Sequence, residues 1–154
     1  KMPVEVDDIS LMLFRLANGA VGTLEASRLA TGTQDEFRIE AHGSKGAMRF
    51  NLIQPNYLEF YDETLPGGDY GGERGFKALE TVQRYPAPAK YPGPKNTLGW
   101  ERFHIAALHA FVRHVIDGTP ASPDVADGAR VQAILEAAID SHRRRGAWTP
   151  VESV

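Results

Sequence analysis

Strand-like segments occupy the first half of the chain and helix-like segments the second, and this order restricts the fold most. Up to residue 84, short apolar or alternating runs are separated by turn residues, and from residue 100 apolar residues recur at helical spacing. Strands followed by helices favour an α+β fold. We predict an antiparallel-rich mixed sheet of about six strands, with two C-terminal helices packed on one face.

An Asn-Gly pair predicts a hairpin near the start of the chain. Ile9–Leu16 is apolar at nearly every position, Asn18-Gly19 follows, and Ala20–Leu29 alternates. Asn and Gly supply the positive φ angles that a tight hairpin turn requires. One side of the second strand would carry a mixed surface of the kind found at interfaces, formed by Val21, Thr23, Glu25 and Ser27.

Alternation predicts four further strands, at Phe37–His42, Ala47–Asn51, Tyr57–Tyr61 and Ala78–Arg84. In the first of these, Phe37, Ile39 and Ala41 are expected to point inward. A proline-rich loop follows up to Gly99. A helix is predicted over Trp100–Ile116 and ends at Asp117-Gly118. A second helix begins with Ser122 or Asp124 as N-cap and closes at Gly146, and Ala147–Val151 is predicted as a short strand.

Composition limits the class of protein. The chain has 154 residues, 17 basic against 20 acidic side chains and no cysteine. This length predicts a single domain over residues 1–154. We expect no membrane span because no apolar run is long enough, and no nucleic-acid binding because no basic stripe is present. The lack of cysteine excludes disulfides and thiolate sites and is compatible with the cytoplasm, which we predict as the location.

Familiar catalytic and metal motifs are not found. His104, His109 and His114 are five residues apart, which turns each about 140° from the last, so they cannot share a metal ion, and we predict none. There is no G-x-G-x-x-G, P-loop or nucleophile elbow. The opening Lys1-Met2-Pro3 suggests a fragment of a longer chain, with a trimmed tag or lost tail as the alternative.

Arg28 is the side chain with the clearest binding chemistry. It ends a predicted strand beside the turn at Thr31-Gly32. There a guanidinium can hold a carboxylate or a vicinal diol through paired hydrogen bonds. The alternative is a surface arginine that closes the sheet with an ion pair. The residues leave both interpretations open.

Four segments in order resemble one known family. They are Val6–Arg28, with its Asp-Asp and Asn-Gly-Ala, then His42–Phe50, with Gly-Ser-Lys-Gly, Asp127–Gln132, and Gly146–Val151, with Gly-Ala-Trp. Together they resemble the C-terminal domain of the Gfo/Idh/MocA oxidoreductases, the group of glucose–fructose oxidoreductase and inositol dehydrogenase. The resemblance covers nearly the whole chain.

This resemblance implies a two-domain parent enzyme. Its N-terminal Rossmann domain would bind NAD or NADP, and hydride would pass to or from a sugar, cyclitol or related polyol. The C-terminal domain would form the substrate wall and a homo-oligomer interface through the open sheet face. The family's G-x-G-x-x-G, E-K-P and D-x-x-x-H motifs are absent here. The chain alone is therefore predicted to lack catalytic residues and to be inactive, with no cofactor bound to it.

Position alone suggests which residues face the substrate. Arg28, Thr31 and Gln34 would line the pocket at the end of the sheet, and Trp100 and His104 would close over it. The competing hypothesis is a free-standing dimerisation or small-ligand-binding module without redox activity.

Overall fold

A computed structural model describes residue 3 and residues 6–82 and 96–152. These residues form six strands and two helices, in the order β1 (Ile9–Arg15), β2 (Val21–Ser27), β3 (Arg38–Gly43), β4 (Gly46–Asn51), β5 (Tyr57–Asp62), β6 (Lys77–Glu80), α1 (Trp100–Asp117) and α2 (Val125–Arg143). Every strand pair is antiparallel. The α+β class, the six strands and the two C-terminal helices are therefore confirmed.

The strands divide into two sheets where one was predicted. β1 pairs with β2, and β3, β4, β5 and β6 form a second sheet in that order. Residues 28–37 lie between the sheets in sequence and belong to no strand. The chain forms two compact units, residues 1–32 with 120–154 and residues 33–119. The single domain and the packing of both helices on one sheet face stay predictions.

The first hairpin is confirmed, with a different turn from the one predicted. Gly19 has a φ of 87°, whereas Asn18 is not among the residues with positive φ. The Gly19 N–H donates to the Leu16 carbonyl at 2.9 Å, and the Leu16 N–H donates to the Ala20 carbonyl at 2.8 Å. A turn of this kind places one glycine in the left-handed region, as in hairpins with a bulge, so only Gly19 needs conformational freedom.

The four-stranded sheet is amphipathic because side chains alternate along each strand. Its register pairs Glu40 with Arg49 and Arg49 with Glu59. We call the side that carries them the polar face, which holds Arg38, Glu40, His42, Ala47, Arg49, Asn51, Tyr57, Glu59, Tyr61, Ala78 and Glu80. The opposite apolar face holds Ile39, Ala41, Met48, Phe50, Leu58, Phe60 and Leu79, together with Lys77.

One boundary of each helix agrees with the sequence prediction, namely the end of α1 and the start of α2. Gly118 terminates α1 with a φ of 62°, and its N–H donates to the His114 carbonyl. Asp124, one of the two predicted N-caps, starts α2. Its carboxylate accepts the Asp127 N–H at 2.9 Å, and the Asp127 carboxylate accepts the Asp124 N–H at 2.9 Å. This reciprocal capping satisfies two of the helix's free N–H groups.

Two strand predictions need correction. The short strand expected at Ala147–Val151 does not form, since residues 147–152 carry no strand, and Pro150 has no N–H to donate to a ladder. The strand expected at Ala78–Arg84 is β6, which ends at Glu80. Residues 83–95, which include most of the predicted proline-rich loop, lie outside the described residues.

Burial is low in the described part of the chain. Ala47 is 8% exposed and Arg102 is 6% exposed, whereas Leu11 and Leu13 on β1 are 70% and 72% exposed. Phe37 and Ile39, which were expected to point inward, are also more than half exposed. Because apolar patches of this kind usually mark contacts with other protein surface, the described units leave apolar area for further partners to cover.

Candidate functional site

Arg28 lies directly after β2. Its N–H donates to the Asp8 carbonyl at 2.8 Å, which extends the hairpin by one residue. The guanidinium is exposed and makes no ion pair with any described carboxylate. Both interpretations of Arg28, ligand binding and an ion pair that closes the sheet, stay predictions.

The turn after Arg28 positions Thr31. The Leu29 N–H donates to the Ser27 hydroxyl at 3.1 Å, and the Thr31 N–H donates to the Leu29 carbonyl at 2.8 Å. Gly32 then takes a φ of 94°. Thr31 is exposed, three residues after Arg28.

Trp100 and His104 form a pair on the first turn of α1. Their ring centroids are 4.9 Å apart and their planes meet at 87°. The spacing of four residues brings the two rings to the same side of the helix. An edge-on contact of this kind restricts the indole while leaving Trp100 exposed. Gln34, the remaining candidate, lies exposed in the loop before β3.

The five predicted site residues fall into two groups. Arg28 and Thr31 belong to the unit of residues 1–32 and 120–154, whereas Gln34, Trp100 and His104 belong to residues 33–119. Arg28 and Thr31 are three residues apart in one turn, and the rings of Trp100 and His104 are in contact. A single pocket that contains all five stays a prediction.

The polar face contains a recess that sequence reasoning missed. Its cavity measures about 390 Å³ and is lined by the polar-face residues Arg38, Glu40, Arg49, Asn51, Tyr57, Glu59 and Ala78, by Gln54 of the β4–β5 connection, and by Phe50, whose side chain is assigned to the apolar face. The alternation of polar residues in each strand was visible in the sequence. The register that places Glu40, Arg49 and Glu59 side by side was not, because it depends on pairing between strands.

Arg49 on the polar face contacts a carboxylate and an aromatic ring. Its Nε lies 3.6 Å from Glu40 Oε2, and its guanidinium carbon lies 3.8 Å from the centre of the Phe76 ring. His42 Nε2 is also 3.6 Å from Glu40 Oε2. Attraction to the ring and to the carboxylate restricts the arginine. Its Nε is shielded from solvent without a hydrogen-bond partner, so the remaining guanidinium N–H groups carry its binding capacity.

A second polar network holds the loop after β5. Tyr61 donates its hydroxyl to Glu63 at 2.7 Å, and Arg74 donates to the same carboxylate at 2.7 Å. The hydrogen bond to Glu63 raises the pKa of Tyr61, because the neutral phenol is the donor. Hydrogen bonds from Thr64 lower the pKa of Asp62 because they stabilise its charged form. These hydrogen bonds hold the loop after β5 in a defined conformation.

The described ranges contain no group of three or more His, Cys, Asp or Glu side chains placed to hold a metal ion. No described helix is both long and apolar enough to cross a bilayer.

Comparison with known proteins identifies the family. Residues 1–152 match the family described as "Oxidoreductase family, C-terminal alpha/beta domain", the C-terminal domain of Gfo/Idh/MocA proteins. The chain belongs to this family, which confirms the resemblance drawn from its four motifs.

Levoglucosan dehydrogenases are among the relatives. The enzyme of Pseudarthrobacter phenanthrenivorans is 32% identical over an alignment of 155 positions, which covers 100% of this chain and 38% of the relative. A levoglucosan dehydrogenase structure in complex with NADH and levoglucosan matches with a TM-score of 0.86 and 30% identity, over 100% of this chain and 41% of that one. The chain therefore spans about two fifths of the length of these relatives.

A further solved structure has the same fold. It is an oxidoreductase domain protein from Kribbella flavida, with a TM-score of 0.89 and 33% identity, over 98% of this chain and 38% of that chain.

Proposed function

We propose that this chain is the C-terminal, substrate-side and oligomerisation part of a cytoplasmic NAD(P)-dependent oxidoreductase. The whole enzyme transfers hydride between a nicotinamide and a sugar, cyclitol or related polyol. The observation that carries this proposal is the family match over residues 1–152. The relatives complexed with NADH support the cofactor class, and the sugar substrates in their names support the substrate class.

The described residues do not fit a dinucleotide by themselves. A pyrophosphate binds where a glycine-rich turn leads from a strand into a helix N-terminus. α1 follows loop residues 96–99 and not a strand with a glycine-rich turn, and the N-terminus of α2 is closed by the carboxylates of Asp124 and Asp127, which would repel phosphate. We therefore assign nicotinamide binding to other parts of the enzyme, and we propose that the chain alone binds no cofactor and has no activity.

The chain's own residues bind and orient the polyol. The Arg28 guanidinium offers two parallel N–H donors that match the oxygens of a vicinal diol, and Thr31 adds a hydroxyl beside it. In the unit of residues 33–119, we propose Gln34 separately as a polar contact, because its amide can donate and accept. Trp100, held by His104, offers an aromatic surface to the C–H face of a sugar ring. Orientation of this kind accelerates hydride transfer by fixing the reacting carbon.

The alternative is a free-standing dimerisation or ligand-binding module without redox activity. The two functions differ in an assay of the whole protein that the gene encodes. We expect it to reduce NAD or NADP when supplied with levoglucosan or with another sugar, cyclitol or polyol, as measured by the absorbance of the reduced nicotinamide. Failure with both cofactors across such a panel would favour the module.

A further inference from the structure

A side chain of the β4–β5 connection attaches the chain that leads into α1. Asn56, the last residue before β5, accepts the Leu98 N–H with its carboxamide oxygen, although the two residues are 42 apart in sequence. Both residues are half-buried. A backbone N–H that is withdrawn from water needs an acceptor inside the protein. Asn56 supplies this acceptor two residues before the helix begins at Trp100.

The backbone that carries this acceptor is itself held by the residue after β6. The Thr81 N–H donates to the Asn56 carbonyl at 2.9 Å, and the Thr81 hydroxyl donates to the Pro55 carbonyl at 2.7 Å. Pro55 is buried, and its ring fixes its own φ angle. Asn56 is therefore anchored to the four-stranded sheet, and its side chain extends this anchor to Leu98.

The start of α1 lacks a side-chain cap of its own. Gly99 is the N-cap residue, with an extended backbone and without a side chain that could accept a helix N–H. The first N–H groups of a helix have no partner within it, and a side-chain cap normally fixes where the helix begins. α2 has such a cap in Asp124. For α1, the hydrogen bond from Leu98 to Asn56 takes over part of this role from outside the helix.

The aromatic pair of the candidate site follows directly on this attachment. Trp100 begins α1, two residues after Leu98, and its ring contacts that of His104. In the described part of the chain, α1 has no extensive contact with any strand. A shift of Leu98 would therefore carry the first turn and both rings with it. Shifts of about 1 Å at a site that orients a substrate can lower the rate about 100-fold.

We propose that Asn56 is a positioning residue for sugar binding. By holding Leu98, it fixes the first turn of α1 and hence the place of the Trp100 ring against the sugar. This rests on the proposed function, in which Trp100 faces the substrate. The role requires an acceptor oxygen at this reach and no contact between Asn56 and the sugar. An aspartate would supply that oxygen as well, whereas an alanine would not.

Amide hydrogen exchange of the whole protein without substrate tests the structural half of the proposal. In Asn56→Ala, the amides of residues 97–104 should exchange about tenfold faster, because the start of α1 opens more readily. Asn56→Asp should keep the protection. Thr81→Val is the matched control, since it removes the 2.7 Å hydrogen bond to Pro55 in the same connection and leaves the Leu98 contact in place. Exchange of residues 97–104 should be unchanged in this control.

Steady-state kinetics of the whole enzyme test the functional half. In Asn56→Ala, the KM for the sugar should rise about tenfold with little change in kcat, and Asn56→Asp should retain the original KM. A tenfold rise corresponds to about 1.4 kcal/mol, which is the size of one hydrogen bond. Because Asn56 acts through Trp100, the double variant with Trp100→Ala should have the KM of Trp100→Ala alone. A residue with a separate effect would add its own loss.

Melting curves verify that each variant is folded, and Asn56→Ser, with a side chain shorter by one bond, replaces an Asn56→Ala variant that does not fold. Unchanged exchange or an unchanged KM in the folded variant would overturn the proposal, and so would losses that add in the double variant. An active enzyme whose KM does not depend on Asn56 contradicts only the positioning role. A whole protein that is inactive with every sugar and both cofactors contradicts the proposed function instead.

Discussion

Replacing Gly46 by alanine is expected to lower the stability of the four-stranded sheet by about 1–3 kcal/mol, as for overpacked positions in general. A Cβ built on Gly46 lies 2.4 Å from the Tyr61 carbonyl oxygen. That oxygen belongs to the backbone of β5, so the strand itself must move. The pairing of Gly46 with Asp62 at the end of the β4–β5 ladder would weaken.

Gly43→Ala is the matched control for this prediction. The two glycines flank the same turn, but a Cβ on Gly43 meets only the Gly46 carbonyl oxygen, at an ordinary 3.7 Å. Restricting the unfolded chain should even stabilise this variant by a few tenths of a kcal/mol, up to about 1 kcal/mol. Amide hydrogen exchange in β4 and β5 measures both effects. Equal protection in the two variants would show that the close approach at Gly46 is unimportant.

Replacing Arg28 by methionine is expected to reduce kcat/KM for the sugar about 10- to 100-fold. A hydrogen bond to a charged group contributes about 1.5–3 kcal/mol, and about 1.4 kcal/mol corresponds to a factor of ten. The loss should appear mainly as a higher KM, because Arg28 binds hydroxyls of the substrate away from the transferred hydride. Steady-state kinetics of the whole enzyme measure both parameters.

Two control variants show whether the loss of kcat/KM is specific to the guanidinium of Arg28. Arg28→Lys keeps the charge but loses the planar pair of donors, so it should remain impaired. Arg113→Met removes an exposed arginine that pairs with Asp117 on α1, and it should leave kinetics unchanged. An unchanged KM in folded Arg28→Met would show that Arg28 is an ordinary surface residue.

Local signals in the sequence predicted the elements of this fold well. The Asn18-Gly19 turn located the first hairpin, and Gly118 located the end of α1. The choice between Ser122 and Asp124 as N-cap was left open, because either side chain can accept an N–H. Ala147–Val151 has strand-like composition, yet it forms no strand because no described partner pairs with it.

Features that depend on distant pairing were not predictable. The division into two sheets and the row of Glu40, Arg49 and Glu59 follow from which strands meet and in what register. Likewise, the sequence alone does not distinguish Gly43 from Gly46, because the obstacle at Gly46 comes from β5. The motifs in the sequence predict the family. The candidate binding residues are predicted only from their positions along the chain, and the kinetics of the Arg28 variants test the first of them.

Titration with NADH shows whether this chain supplies only the substrate side of an enzyme whose nicotinamide site lies elsewhere. The whole protein and the chain of residues 1–154 are compared by nicotinamide fluorescence under the same conditions. We predict saturable binding by the whole protein and no binding by the chain alone. Tight NADH binding by the isolated chain would place the nicotinamide site within residues 1–154, and no binding by the whole protein would refute the proposed dehydrogenase.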